Sequence, residues 1–136
     1  MSNDTPSTKG AHHIGLTVPN LEASRSFFVD TLGYQQLGEV ADYPAVFLSD
    51  GHTMITLWQA MEPASAVPFN RHQNIGLHHL ALAVESREQL TRLHHRLARD
   101  NQVRIEFAPE PLGAGPAQHM MCAIPGGIRV EFIAAG

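Results

Sequence analysis

The chain has 136 residues, 43% hydrophobic and 16% charged, which is enough for one globular domain with a hydrophobic core. Its net charge of −4 argues against a nucleic-acid-binding surface, because phosphate recognition needs clustered Lys and Arg. The single cysteine, Cys122, excludes an internal disulfide, and neither a long apolar run nor a basic leader indicates a membrane span or a secretory signal. We therefore expect a cytoplasmic protein.

The first half of the chain, about residues 11–59, has the pattern of a strand, a helix and three strands. Asn20 can cap a helix that begins at Leu21, and Gly33 can end it. The residues before this half, 1–9, are polar and aperiodic, which predicts a disordered tail. The predicted elements are a strand at 11–18, a helix at 21–32 and strands at 34–40, 45–48 and 53–59.

The second half, about residues 78–133, repeats this pattern after an irregular connector at 60–77. Ser86 and Gln89 form a capping box, and Asn101 can take a left-handed conformation that stops the helix. The predicted elements are a helix at 86–100, with Leu90, Leu93 and Leu97 on its apolar face, strands at 78–84, 103–107, 119–124 and 128–133, and a Pro- and Gly-rich loop at 108–116. Two tandem βαβββ modules predict an α+β fold in a single domain, 10–136.

The first strands of the two halves carry the same pattern. Gly10-Ala-His-His-Ile-Gly-Leu-Thr-Val18 matches Gly76-Leu-His-His-Leu-Ala-Leu-Ala-Val84 when the paired histidines are aligned. Because side chains alternate along a strand, His13 and His79 lie on one face with small neighbours, and the larger apolar residues lie on the opposite, packing face. The small neighbours leave room for a ligand.

The last strands of the two halves also match. Thr56 and Glu131 each stand five residues after the glycine of the preceding turn. Alternation places Val130 and Phe132 on the packing face and Glu131 on the other one. Glu131 is therefore predicted to share the face that carries the histidines.

A duplicated βαβββ unit with these histidines and this carboxylate resembles the vicinal oxygen chelate superfamily, which includes glyoxalase I, bleomycin-resistance proteins and extradiol dioxygenases. The resemblance covers nearly all of residues 10–133. It implies an incomplete mixed β-barrel around a central cleft, and one divalent ion held by His13, His79 and Glu131. Two imidazoles and one carboxylate suit Fe, Mn, Ni or Zn and leave positions open for water or a bidentate substrate.

The implied function is that of a metal-dependent enzyme of small-molecule metabolism or detoxification, with lyase, isomerase, thiol transferase and dioxygenase chemistry left open. Glu131 would then be catalytic as well as a metal ligand, and His119, on the preceding strand, is a candidate general acid or base. The predicted substrate-binding residues are Met54, Thr56, Trp58 and Met121, with Phe69 as a further candidate. The resemblance also implies a homodimer, because two chains complete the sites in related single-domain members.

The members of the superfamily differ at two informative positions. Thr56 stands where glyoxalase I has a fourth ligand, and Met121 stands where extradiol dioxygenases typically have tyrosine. The alternative function is a metal-free protein that sequesters a small molecule or drug, as bleomycin-resistance proteins do. Those proteins generally lack the histidine and glutamate set, which favours the enzyme. The other histidines are expected not to be ligands, since they lie at the opposite strand parity (His12, His78), in a turn (His52) or on a helix (His94, His95).

Overall fold

The structure, a computed structural model, describes residues 5–136 and divides into two compact units, Met1–Met61 and Glu62–Gly136. Each unit holds one open four-stranded mixed sheet and a helix, so the prediction of an α+β fold with two tandem βαβββ modules is confirmed. The elements are β1 (His13–Val18), α1 (Leu21–Ser26), β2 (Gln35–Val40), β3 (Ala45–Ser49), β4 (Met54–Gln59), β5 (Leu80–Val84), α2 (Arg87–Ala98), β6 (Arg104–Pro111), β7 (Gln118–Ala123) and β8 (Arg129–Ala134).

The sheet of the first unit has the strand order β1-β4-β3-β2, with β1 and β4 parallel. The side chain of Asn20 accepts the Ala23 N–H, as expected of a helix cap. After α1 the chain continues as a π-helical turn at Phe27–Thr31 instead of as regular α-helix. This wider turn accompanies the burial of two adjacent rings, Phe27 and Phe28.

The sheet of the second unit has the equivalent order, β5-β8-β7-β6, with β5 and β8 parallel. The Ser86 hydroxyl accepts the Gln89 N–H, and the three leucines of the predicted apolar face of α2 are buried. The prediction that Asn101 adopts a left-handed conformation is wrong, because no residue other than glycine in 5–136 has a positive φ. Instead, the Asp100 carboxylate accepts the Gln102 N–H and forms the turn after the helix.

The loop predicted at 108–116 is shorter than expected, because β6 continues to Pro111. This strand is at the edge of its sheet, where a proline nitrogen that cannot donate leaves no partner unpaired. The hairpin closes where the Leu112 N–H donates to the Ala117 carbonyl at 2.9 Å. A second difference is that β5 begins at Leu80, so His79 lies just before the strand.

The predicted alternation of faces is found in both sheets. In β1, Leu16 and Val18 are buried while Gly15 and Thr17 are exposed, and the leucines of β5 are buried while its alanines are exposed. Residues 5–9 of the expected tail are exposed and contain no helix or strand, and residues 1–4 lie outside the described residues. No helix within residues 5–136 is long and apolar enough to span a bilayer.

Candidate functional site

Glu131, on β8, lies between two histidines in the second unit. Its Oε1 is 3.2 Å from His79 Nε2, and its Oε2 is 2.5 Å from His119 Nδ1. The shorter contact is a hydrogen bond between the imidazole and the carboxylate, and the Glu131 side chain is only 10% exposed. These three side chains, which we call the Glu131 cluster, lie together on one face of the sheet.

The strand register explains how the cluster forms. Glu131 pairs with Ala81 on β5 and with Met121 on β7. Because side chains two residues apart share a face, His79 and His119 lie on the same face as the carboxylate between them. The small, exposed side chain of Ala81 leaves space beside that carboxylate.

Each predicted ligand histidine contacts the histidine before it in sequence. The Nδ1 atoms of His12 and His13 are 2.9 Å apart, and those of His78 and His79 are 2.8 Å apart. In each pair one Nδ1 must donate and the other must accept, so the contact couples the tautomers of the two rings. Strand parity indicated only that His12 and His78 do not share the ligand face, and the contacts depend on rotamers that parity does not predict.

In the first unit, His13 is an exposed residue at the start of β1, and three predicted pocket residues, Met54, Thr56 and Trp58, lie on the adjacent strand β4. The Trp58 Nε1–H donates to Thr56 Oγ1 at 2.9 Å, and Thr56 is 5% exposed. A Cβ atom at Gly15 would come within 3.1 Å of the same hydroxyl. Glycine at this position therefore makes room for the bonded Thr56–Trp58 pair.

The two remaining predicted pocket residues lie in different surroundings within the second unit. Met121 is buried directly opposite Glu131. Phe69 is in the connector between the modules, where residues 67–74 line one side of a cavity of about 730 Å³. The other side is formed by β6 and by the ends of β7 and β8.

An ion-pair cluster that the sequence pattern does not predict lies at this cavity. Glu106 accepts hydrogen bonds from Arg129 at 2.9 and 2.7 Å and from Arg71 at 3.0 Å. The hydrogen bond from Arg129, with the charges of both arginines, lowers the pKa of Glu106 to about 2. Arg129 could have been found from its position two residues before Glu131 on the same face, but Glu106 lies at an irregularity in β6 that no periodicity reveals.

The contribution of Glu106 to stability should depend on pH. Since folding lowers its pKa from 4.5 to about 2, the contribution is fully present above pH 4.5 and is lost as the pH falls towards 2. The Glu106 side chain is 35% exposed, so solvent screening limits the effect to about 1 kcal/mol. We expect the difference in free energy of unfolding between the wild type and Glu106→Gln, measured with urea, to shrink over this range. A difference that is the same at pH 7 and pH 2.5 would contradict this assignment.

Cys122 is a packing residue on β7. It is fully buried, and burial raises the pKa of its thiol to about 12. The thiol is therefore protonated at neutral pH and is not a nucleophile in the folded protein.

The predicted metal ligands are divided between the two units, His13 in the first and His79 and Glu131 in the second. No group of three or more His, Cys, Asp or Glu side chains within residues 5–136 is arranged to hold a metal ion. The pair in the second unit nevertheless has suitable spacing. Two donors bound at about 2.1 Å to one ion, at right angles, lie about 3 Å apart. The 3.2 Å between His79 Nε2 and Glu131 Oε1 is close to that value.

Comparison with known proteins gives consistent matches over most of the chain. A family model described as Glyoxalase/Bleomycin resistance protein/Dioxygenase superfamily matches residues 10–132. The uncharacterized protein YqjT of Bacillus subtilis (strain 168) is 29% identical over 127 residues, which are 90% of this chain and 97% of that protein. A glyoxylase/bleomycin resistance protein/dioxygenase domain from Frankia sp. EAN1pec superposes with a TM-score of 0.81 at 22% identity, covering 96% of this chain and 94% of that one. Lactoylglutathione lyase from Agrobacterium tumefaciens superposes with a TM-score of 0.71 at 18% identity, covering 95% and 96%.

Proposed function

The chain belongs to the Glyoxalase/Bleomycin resistance protein/Dioxygenase superfamily, and from that premise we propose that it is a divalent-metal-dependent enzyme acting on a small molecule with adjacent oxygens. The observation that carries the proposal is the Glu131 cluster. In it, Oε1 of a carboxylate that is 10% exposed lies beside His79 Nε2, and these are two donors of the kind a divalent ion takes, while His119 holds the other oxygen. The proposed enzyme is cytoplasmic and belongs to small-molecule metabolism or detoxification.

The proposed ligands are His13, His79 and Glu131, and the ion is Fe, Mn, Ni or Zn. When bound, such an ion polarises substrate oxygens and stabilises negative charge that develops on them. Support comes from the 3.2 Å spacing of the two donors in the second unit and from the equivalent position of His13 at the start of β1. Thr56 is proposed to line the site without being a ligand, because a neutral hydroxyl is a weaker donor than imidazole or carboxylate, and it accepts a hydrogen bond from Trp58.

The hydrogen bonds around the proposed ligands favour one coordinating atom on each ring. If His79 donates its Nδ1–H to His78, its Nε2 has a free lone pair on the side of Glu131. The same contact between His13 and His12 frees Nε2 of His13. The outer histidines are thus proposed to fix the tautomer and the orientation of the rings that bind the ion.

His119 is proposed to have two roles at the carboxylate. Its Nδ1–H donates to Glu131 Oε2, which turns the other oxygen, Oε1, towards His79. Its Nε2 lies 3.8 Å from Glu110 Oε1, which is longer than a hydrogen bond. This position suits a general acid or base that acts beside the bound substrate.

Metal analysis tests the proposal most directly. Protein produced without a His tag, stripped with EDTA and titrated with Ni, Mn, Zn and Fe(II) in separate calorimetric experiments, should take up one ion per chain of at least one of them. No uptake of any of the four would contradict the enzyme and favour a metal-free protein that sequesters a small molecule.

We further propose that the enzyme is a homodimer. Within each unit the sheet is open, and edge strand β2 exposes Leu37 and Val40, which are 61% and 40% accessible. Light scattering at micromolar concentration should give about twice the 14.9 kDa mass of one chain. A monomer that still binds one ion would contradict the proposed dimer but not the proposed metal centre.

A further inference from the structure

We propose that the cavity of the second unit binds a small organic anion, with Arg71, Arg104 and Arg129 as its recognition groups. Its volume of about 730 Å³ is within the usual range for small-molecule sites. The connector residues 67–74 form one wall, and β6 with the ends of β7 and β8 forms the other. All of these residues belong to one compact unit.

The charge of the cavity lining selects an anion. The lining includes three guanidinium groups, from Arg71, Arg104 and Arg129, and a single carboxylate, from Glu106. One carboxylate can offset only one of three positive charges. The cavity therefore has an excess of positive charge, which a carboxylate or phosphate group of a ligand would balance.

The arginines also keep donors for a ligand. Arg104 forms no ion pair and no side-chain hydrogen bond with any residue in the part of the chain that the structure describes, 5–136. Arg129 gives its Nε and Nη2 donors to Glu106, while its Nη1 lies 3.5 Å from His78 Nδ1. Glu106 thus fixes Arg129 and Arg71 in place and leaves part of their five N–H donors free, so little ordering is needed when an anion binds.

The rest of the lining suits an apolar body attached to the anionic group. Pro68, Phe69 and Ile105 contribute apolar surface, while Asn70 and Asn74 offer side-chain amides. The expected ligand is therefore an aromatic or aliphatic acid, or a phosphate ester with such a body.

The position of the cavity connects it to the Glu131 cluster. Arg129 and Glu131 are two residues apart on the same face of β8, so their Cα atoms are roughly 7 Å apart. If the proposed function holds, one substrate would contact both places. Its adjacent oxygens would lie near Glu131, and its anionic group would bind in the cavity. The substrate class is then a small organic acid or phosphate ester that also carries adjacent oxygens.

Binding of simple probes tests the cavity separately from the metal. EDTA-treated protein is titrated at low ionic strength with benzoate, with phenyl phosphate and with the neutral benzamide, by calorimetry. Benzoate or phenyl phosphate should bind and benzamide should bind much more weakly. Arg104→Ala should weaken anion binding about tenfold or more, because one charge-assisted hydrogen bond is lost. Arg104→Lys should restore part of the affinity.

The matched control is Arg99→Ala, which removes an exposed arginine that does not line the cavity and should leave anion binding unchanged. Binding of only one of the two anions supports the site and identifies carboxylate or phosphate as its ligand. Failure of both anions to bind at millimolar concentration, equal binding of benzamide, or equal losses in Arg104→Ala and Arg99→Ala would overturn the proposal. These titrations contain no metal, so their result is independent of the metal analysis. If the protein binds the anions but takes up no metal ion, the proposed enzyme is rejected and the anion site is kept.

Discussion

Replacing His79 by alanine is expected to lower the affinity for a divalent ion at least about 100-fold, because loss of a ligand should exceed the 10- to 100-fold losses typical of its hydrogen-bonded neighbours. The fold should be kept, since His79 lies outside β5 and its side chain is 33% exposed. The packing residues Leu80 and Leu82 are untouched, and Glu131 retains its hydrogen bond to His119. Calorimetric titration with the metal that the wild type binds measures the affinity, and circular dichroism checks the fold.

The matched control for this variant is His95→Ala, which removes an exposed histidine from α2. It should bind the ion like the wild type. Equal uptake by the wild type and His79→Ala would refute the proposed ligand. Equal losses in His79→Ala and His95→Ala would show that the titration reports a nonspecific effect of histidine content.

Replacing Thr56 by glutamate is expected to couple stability to metal much more strongly than in the wild type. Thr56 is 5% exposed, so a carboxylate there would be buried without a cation, which costs about 3–5 kcal/mol in the metal-free protein. Because Thr56 is the counterpart of Glu131 in the first unit, paired with Gly15 as Glu131 is with Ala81, the new carboxylate should act as a fourth ligand. Saturating metal should then raise the melting temperature of the variant more than that of the wild type, and metal affinity should increase.

The control is Thr17→Glu, which places the same side chain at an exposed position on neighbouring strand β1. It should change neither the metal-free stability nor the response to metal appreciably. If metal stabilises Thr56→Glu no more than the wild type, Thr56 is not beside the ion and the ligand set is wrong. The comparison of the two variants therefore separates the position of the carboxylate from its charge.

The two modules could be predicted because their signals are local and repeated. Alternation along β1 and β5 and the helical spacing of Leu90, Leu93 and Leu97 are properties of short segments, and burial in the structure follows them. The course of β6 could not be predicted in this way. The prolines near its end predict a loop. They are tolerated in the strand only because no further strand pairs with that edge.

The candidate site, too, could be predicted only where its signals are local and repeated. By itself, the sequence placed Glu131 on the histidine face and paired Thr56 with it across the repeat, because period-two alternation and a duplicated pattern are readable from one chain. Only the tertiary structure brought His119 to the carboxylate, set the neighbouring histidines Nδ1 to Nδ1, and joined Arg129 to Glu106. Those contacts join different strands, or depend on rotamers and on an irregularity in β6. They are therefore decided by how the segments pack, which the spacing of residues within a segment does not specify.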